Sequence, residues 1–449
     1  MNTNALSRPQ RLSMWALGLS ALLALTLAAC GGGKKDPVEL DANGNPVNPA
    51  TACKSDELGS TLSTEDWLSA WGSTRTTGPA APTNTTVRNI VRVTASGDRI
   101  RLRFFNLSDN PIVIGAASVA IRSGSTGAAV DGTTLVPVTF SCGQTAVTIP
   151  PQTESFYSDP IAMKVGNQQD LAVSLFLPGT LNPSEFGTGW SYSYKLPNGS
   201  GDATANSAGA NYGLIDGSTG LTPAGVPLAC DGCQVYALRD VEVISTEADG
   251  AMVFLGSSSI HGYNTTQDSH RRFPDQISVK AMSDVAAGKR KSVVNRGIGG
   301  DTLQAASATR LMRDLYSTAK VHSVVLWATN DLGSRTADQI IANYEAVIDE
   351  AHAKGIHVFC PTWIPGAQSL QASANGERQK LNTWILTSKR CDGVVDYNAV
   401  VEAPGGLTLL PQYNSGDSIH SNDAGHTEWT RITPVKDWME MARRVVVTP

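Results

Sequence analysis

The strongest constraint on the fold is an alternation, after about residue 251, of short apolar runs with segments of helical length. The runs predict buried strands at Met252–Leu255, Ser292–Asn295, Ser323–Trp327, His357–Cys360 and Val394–Asp396. The segments between them predict helices at Phe273–Ala287, Thr302–Leu315, Ala337–Lys354 and Glu377–Lys389. This order is typical of right-handed crossovers and a three-layer α/β domain with a parallel sheet. Ligands of such domains bind beyond the carboxyl ends of the strands.

In the preceding part of the chain, apolar residues recur at every second position instead of at helical spacing. In Arg99–Phe104, charged and apolar side chains alternate, which indicates a strand with one face in water. Similar runs separated by turn residues follow at Pro111–Ile114, Val136–Phe140, Ala146–Ile149 and Leu171–Leu177. Several short strands with frequent turns predict an all-β, jelly-roll-like sandwich. We therefore expect a β-sandwich domain at residues 52–245, accessory to the α/β domain at residues 246–449.

The N-terminus has the features of an export signal. Arg8 and Arg11 precede the apolar stretch Met14–Leu27, which is too short for a comfortable membrane span. The small residues that lead into Cys30 resemble the lipobox of bacterial lipoproteins, and this resemblance implies acylation, including palmitate, at Cys30. We expect a signal peptide at residues 1–29, a flexible tether at 30–51 and attachment to the bacterial cell envelope, at the outer membrane or periplasmic face. The alternative is a plain secretory signal.

Charge and cysteine content exclude some functions. The chain has 35 Lys plus Arg against 40 Asp plus Glu, so it lacks the positive charge that nucleic-acid binding requires. Without Cys30, six cysteines remain, an even number that favours disulfides in an exported protein. We expect the pairs Cys53–Cys142 and Cys360–Cys391. The Cys230–Cys233 spacing could form a structural loop, a redox pair or half of a zinc site, but no second metal-binding motif accompanies it.

Candidate catalytic residues follow the predicted strands. A serine-rich turn, Gly256–Gly262, follows the first strand, and a glycine-rich loop, Gly297–Gly300, follows the second. Asn330 follows the third strand, while Asp417 and His420 lie three residues apart near the C-terminus. Each feature alone is common in ordinary loops. Together they provide a nucleophile, amide donors, a general base and a carboxylate that orients the base.

In this order of residues the sequence resembles the SGNH (GDSL-type) hydrolase family. The resemblance implies that Ser258 is the nucleophile, that Asp417 and His420 complete the triad, and that Ser258, Gly300 and Asn330 form the oxyanion hole. It extends over about residues 251–444. The segments that resemble one bacterial branch with a β-rich N-terminal region are Ile90–Val93, Gly97–Arg103, Ile114–Ala117, Leu171–Leu175 and Arg271–Asp275.

Two positions depart from the family pattern. Ser257 stands where the family usually has Asp, and Ala328 stands where it usually has Gly. The first change removes a charge from the nucleophile turn, and the second matters only if that backbone needs a positive φ.

The resemblance implies a carboxylic ester hydrolase that requires no cofactor and no metal. We expect an acetyl or short-chain ester as substrate, of a small molecule, a carbohydrate or a polymer. Two alternatives remain open. One is an acyltransferase with the same triad, and the other is a surface lipoprotein that binds glycan or polymer and carries a decayed hydrolase site.

Overall fold

The computed structural model describes residues 67–78, 82–181, 184–188, 191–214, 234–266, 268–366 and 372–445. The predicted signal peptide and tether, Cys30, Cys53, Cys230 and Cys233 lie outside these ranges. In the described part of the chain, no helix is both long and apolar enough to cross a membrane.

Among the described residues before 245, the regular secondary structure is almost entirely β-strand. The strands are β1 (Trp67–Gly72), β2 (Thr74–Gly78), β3 (Thr83–Val93), β4 (Gly97–Asn106), β5 (Ile112–Ile114), β6 (Ala116–Ile121), β7 (Val136–Pro137), β8 (Val147–Ile149), β9 (Thr153–Tyr157), β10 (Ile161–Val165), β11 (Gln169–Thr180), β12 (Ser184–Thr188), β13 (Ser191–Lys195), β14 (Gly213–Leu214), β15 (Gln234–Tyr236) and β16 (Leu238–Ile244). A short 3-10 turn spans Gly132–Thr134.

These strands form antiparallel sheets. One sheet has the order β1-β16-β4-β10, with β9 also paired to β4, and a second has the order β14-β13-β3-β11-β6-β7. Two smaller sheets have the orders β15-β12-β2 and β5-β8. The expected β-rich N-terminal region is therefore confirmed, whereas its jelly-roll topology stays a prediction.

The alternating strand β4 differs from the expectation on its charged face. Ile100, Leu102 and Phe104 are buried, as the pattern predicts. However, the side chains of Arg101 and Arg103 are only 11% and 4% exposed. The prediction that this face lies in water was wrong, because acidic residues of the neighbouring β16 pair with these arginines.

A parallel sheet with helices follows, and this confirms the expected α/β part. Its strands are β17 (Ala248–Gly256), β18 (Arg290–Gly297), β19 (Val321–Trp327), β20 (His357–Pro361) and β21 (Gly393–Val395), in the order β18-β17-β19-β20-β21. All of the paired neighbours in this sheet run parallel. The predicted boundary between residues 245 and 246 falls between β16 and β17.

The helices differ from the predicted ones mainly in the residues at which they begin and end. They are α1 (Ser258–His261), α2 (Phe273–Asp284), α3 (Leu303–Ala305), α4 (Ala337–Ala353), α5 (Ala372–Thr387), α6 (Tyr397–Val401), α7 (Asp423–Ile432) and α8 (Val435–Glu440), with a π-helix at Ala306–Tyr316 and a 3-10 turn at Pro411–Tyr413. Thr302 was predicted inside a helix, but it caps α3 by accepting a hydrogen bond from Ala305 N. Helix α5 begins five residues before the predicted start at Glu377.

An aromatic cluster fixes helices α2 and α7 to the parallel sheet. Phe254 of β17 packs edge-on against Phe273 at a centroid distance of 5.4 Å, and Trp327 of β19 packs edge-on against Trp429 at 4.9 Å. Tyr397 lies 5.3 Å from Phe273. Perpendicular ring pairs of this kind are favourable beyond the area that they bury. The cluster therefore holds the start of α2 and the second half of α7 close to the carboxyl ends of β17 and β19.

One predicted disulfide is present. Cys360 and Cys391 are bonded across 31 residues of sequence and join the end of β20 to the residues before β21. Closing a loop of this length stabilises the fold by about 3 to 4 kcal/mol in the chain-entropy model. Cys142 is also disulfide-bonded. Its predicted partner, Cys53, lies outside the described residues, so that pairing stays a prediction.

Candidate active site

The serine-rich turn brings Ser258 to the start of a short helix at the end of β17. Gly256 is the last residue of this strand, and a Cβ there would lie 2.2 Å from the carbonyl oxygen of Trp327 on β19. Only glycine permits this close approach of the two strands. Ser257 is extended, and Ser258 is the first residue of α1. The turn thus ends the strand abruptly and presents the Ser258 side chain at the carboxyl edge of the sheet.

Ser258, His420 and Asp417 form a continuous chain of hydrogen bonds. Ser258 Oγ lies 2.9 Å from His420 Nε2, and His420 Nδ1 lies 2.6 Å from Asp417 Oδ2. Because an ionised carboxylate only accepts hydrogen bonds, Nδ1 carries the proton and Nε2 is free to accept one from the serine hydroxyl. This tautomer is the one that a general base for Ser258 requires.

The Asp417 carboxylate is held by several donors besides His420 Nδ1. Its Oδ1 accepts hydrogen bonds from the backbone N–H groups of Ile419 and His420, both at 2.8 Å, and from Ser415 Oγ at 3.0 Å. Partial burial raises the pKa of Asp417, but the hydrogen bonds from His420 and Ile419 outweigh it and hold the pKa well below its usual range. Asp417 is therefore ionised at neutral pH.

Asn264 is a third side-chain donor to this carboxylate, and the sequence pattern did not predict it. Its Nδ2 lies 2.7 Å from Asp417 Oδ2 and 2.9 Å from Ser415 Oγ, and the residue is only 3% exposed. Its φ of 64° lies in the left-handed region, which asparagine tolerates better than most residues. Tyr263 packs on the His420 ring, with the two ring centroids 4.6 Å apart. The only signal in the sequence is that both residues shortly follow Ser258.

The expected oxyanion donors lie on two loops that are tied to the nucleophile turn. Ile298 N donates to Gly256 O at 2.9 Å, which fixes the loop that contains Gly300. Asn330 Nδ2 donates to the carbonyl oxygen of Asp301 at 2.8 Å, and its second amide hydrogen has no acceptor among the described residues. Gly300 has a φ of 76°, and a Cβ there would meet no described atom within 4 Å. The loop thus leaves open space beside Gly300.

Asp331, next to Asn330, fixes the far end of the same loop. This buried carboxylate accepts hydrogen bonds from Leu303 N at 2.6 Å and from Gln304 N at 3.2 Å. In the structure it joins the loop after β19 to the start of α3.

The two departures from the family pattern have local explanations. Ser257 Oγ lies 3.0 Å from Thr329 Oγ1 and accepts a hydrogen bond from Thr329 N at 3.4 Å, so an uncharged pair connects the nucleophile turn to the Asn330 loop. Ala328 is fully buried and does not have a positive φ, so its methyl group causes no backbone strain.

His261 is the last residue of α1 and is buried. It is only 6% exposed, and neither ring nitrogen has a hydrogen-bond partner among the described residues. Burial, with contributions from Arg272 and His420, lowers the pKa of His261 to about 3, so the ring is neutral at neutral pH. Within the described ranges, no group of three or more His, Cys, Asp or Glu side chains is arranged to hold a metal ion.

Comparison with known proteins gives a family match for the part of the chain that contains these residues. Residues 254–427 match the GDSL-like Lipase/Acylhydrolase family. This segment includes Ser258, Gly300, Asn330, Asp417 and His420, and it leaves out the β-rich region. No curated protein matches the chain.

Several solved structures are similar to the chain. A GDSL-like lipase from Bacteroides thetaiotaomicron is 21% identical, with a TM-score of 0.34, over 43% of this chain and 88% of that one. The lipase/acylhydrolase from Enterococcus faecalis is 19% identical, with a TM-score of 0.33, over 41% and 92%. A member of the lipolytic protein G-D-S-L family from Veillonella parvula is 14% identical, with a TM-score of 0.31, over 40% and 94%.

Proposed function

We propose that this protein is a serine carboxylic ester hydrolase that acts on acetyl or short-chain esters. The observation that carries the proposal is the hydrogen-bond chain from Ser258 through His420 to Asp417, with distances of 2.9 and 2.6 Å. The match to the GDSL-like Lipase/Acylhydrolase family supports ester hydrolysis as the reaction class.

In the proposed mechanism, Ser258 Oγ attacks the ester carbonyl carbon while His420 Nε2 takes the hydroxyl proton. The negative charge on the carbonyl oxygen is stabilised by the backbone N–H groups of Ser258 and Gly300 and by the Asn330 amide. Collapse of the tetrahedral intermediate expels the alcohol, which receives the proton from His420 and leaves an acyl-serine. Water, activated by His420, then attacks the acyl group, releases the carboxylic acid and regenerates the serine.

The test is hydrolysis of p-nitrophenyl esters, from acetate to long acyl chains, by the full chain. A fluorophosphonate should block turnover and modify one serine, which peptide mass spectrometry should identify as Ser258. A falling rate with increasing acyl length supports a short-chain esterase. If an added alcohol instead diverts the acyl group from free acid to a new ester, the protein is an acyltransferase. If there is neither turnover nor labelling, the protein is a binding lipoprotein with a decayed site.

We expect Asn330→Ala to retain weak activity. Removing one oxyanion donor typically lowers kcat by about 10²- to 10³-fold, because the charge develops only in the transition state. KM should change little for the same reason. Steady-state kinetics with p-nitrophenyl acetate check this expectation, and the melting temperature shows whether the lost bond to Asp301 O has unfolded the variant. A folded variant with wild-type kcat would remove Asn330 from the mechanism.

The proposal also includes export and lipid anchoring at Cys30, with the membrane as the partner surface. The sequence around Cys30 supports this location. A Cys30→Ser variant should lose incorporated palmitate and appear in the soluble envelope fraction, while the wild type sediments with membranes. Equal labelling of the two proteins would contradict the anchor.

A further inference from the structure

A network of buried charges lies where the β-rich region meets the parallel sheet. On the sheet side it contains Arg296 at the end of β18, and Arg310 and Asp314 on the π-helix. Each of these three residues is no more than 3% exposed. Removing charged groups from water costs several kcal/mol per ion, which the partners must offset. Such a network adds little net stability, but it fixes geometry.

The β-rich region supplies the partners of this network. Asp240 of β16 lies 2.5 Å from Arg296 Nη2, and the carbonyl oxygen of Ser73 accepts a hydrogen bond from Arg296 Nη1. Thr74 Oγ1 donates to Asp314 Oδ2 at 2.7 Å. Gly72 of β1 lies directly against the guanidinium group, because a Cβ there would be 2.6 Å from Arg296 Nη1.

Arg310 connects the network to both ends of the oxyanion loop, residues 296–301. Its guanidinium donates to the carbonyl oxygen of Arg296 at the start of the loop and pairs with the Asp301 carboxylate at its end. Its Nε also donates to Asp314 Oδ2 at 2.8 Å. Added Cβ atoms at Gly299 and Gly300 would meet no described atom within 4 Å. Where Gly299 and Gly300 lie is therefore set by the hydrogen bond from Ile298 N to Gly256 O and by how Arg310 holds the two ends of the loop.

We propose that the β-rich region positions the oxyanion loop, with Gly72, Thr74 and Asp240 acting through Arg296, Arg310 and Asp314. The region is then part of the catalytic unit and not an independent binding module attached to it. These are positioning residues, since none of them reaches the reacting atoms. The inference rests on the proposed esterase function, because its effect appears in the stabilisation of the oxyanion.

The experiment uses the full chain and two variants in the β-rich region. Gly72→Ala places a methyl group where the Arg296 guanidinium lies, and Gly72 does not have a positive φ, so its own backbone accepts alanine. Thr74→Val is milder, because it removes one hydrogen bond to Asp314 at nearly constant volume. The matched control is Glu242→Gln. Glu242 lies two residues from Asp240 on β16 and is equally buried, but it forms its ion pair with Arg101 of β4, inside the β-rich region.

With p-nitrophenyl acetate, we expect kcat to fall about 10-fold or more in Gly72→Ala, which is the loss of about 1.4 kcal/mol of transition-state stabilisation. In Thr74→Val, kcat should fall about 3-fold. In both variants, KM should stay within about 2-fold of the wild-type value. Glu242→Gln should keep kcat even where its melting temperature falls. Combined with Asn330→Ala, the Gly72→Ala effect should shrink, because Asn330 is bonded to the same loop at Asp301 O.

The results separate this inference from the proposed function. Serine-dependent turnover by the wild type supports the function, and an unchanged kcat in both Gly72→Ala and Thr74→Val would then overturn the inference alone. An equal loss of kcat in Glu242→Gln would also overturn it. The same holds if the effects of Gly72→Ala and Asn330→Ala on kcat are fully additive, since a general loss of stability would explain either result. If Gly72→Ala does not fold, Thr74→Val decides. A wild type without Ser258-dependent turnover would overturn the function and this inference with it.

Discussion

Ser258→Ala should lower kcat for ester hydrolysis by about 10⁶-fold, the magnitude found when a triad nucleophile is removed from a serine hydrolase. Without Oγ there is no attacking atom for His420 to deprotonate, and no acyl-enzyme forms. The oxyanion donors and the binding site remain, so a residual rate of about 10³- to 10⁴-fold over the uncatalysed reaction is expected. Initial-rate assays with p-nitrophenyl acetate measure the kcat of the wild type. Assays over many hours, with an enzyme-free sample beside them, measure the residual rate of the variant.

The neighbouring serine provides the matched control. Ser259 is the next residue of α1, is 8% exposed and has no role in the proposed mechanism. Ser259→Ala should therefore keep kcat within a few-fold and should still be labelled by the fluorophosphonate, whereas Ser258→Ala should not be labelled. Wild-type turnover by a folded Ser258→Ala variant would show that another residue is the nucleophile.

Local sequence pattern predicted the parts of the fold that depend on neighbouring residues. The five apolar runs after residue 251 correspond to the five strands of the parallel sheet because buried parallel strands need apolar side chains on both faces. The charged face of β4 was predicted to lie in water. The alternation of charged and apolar residues shows that the strand has two different faces, but it does not show what packs on each face. Arg101 and Arg103 are covered by acids of β16, about 140 residues later in the chain.

The same limit applies to the candidate site. Asp417 and His420 could be proposed together because three residues separate them. Ser258 could be proposed among the serines of its turn from the register with Gly256 and Gly262 that the resemblance to the SGNH family implies. Asn264 could not be assigned to Asp417, 153 residues away, because only the folded chain brings their side chains together. Arg310 was hidden for a related reason: on sequence alone it is a charged residue in a helix, and its contacts with Arg296 and Asp301 depend on how the π-helix packs.

The surroundings of Asp417 determine what an amide at that position would do. The backbone N–H groups of Ile419 and His420 donate hydrogen bonds to Oδ1, and a backbone N–H cannot become an acceptor. The Oδ2 side faces His420 Nδ1 and the Asn264 side chain, which can rotate its amide. In Asp417→Asn the amide oxygen should therefore stay with the backbone N–H groups, and the NH₂ group should face His420. His420 Nδ1 must then accept, so the ring proton moves to Nε2.

Asp417→Asn should consequently lower kcat by about 10⁴-fold at neutral pH, since His420 in that tautomer cannot take the proton of Ser258. KM should change much less, because the carboxylate does not contact the substrate in the proposed mechanism. The control is Asp423→Asn on α7, where Asp423 accepts hydrogen bonds from Thr266 and not from the triad. Kinetics with p-nitrophenyl acetate should show near-wild-type kcat for the control. A comparable loss in both variants, or no loss in Asp417→Asn, would mean that Asp417 does not set the tautomer of His420.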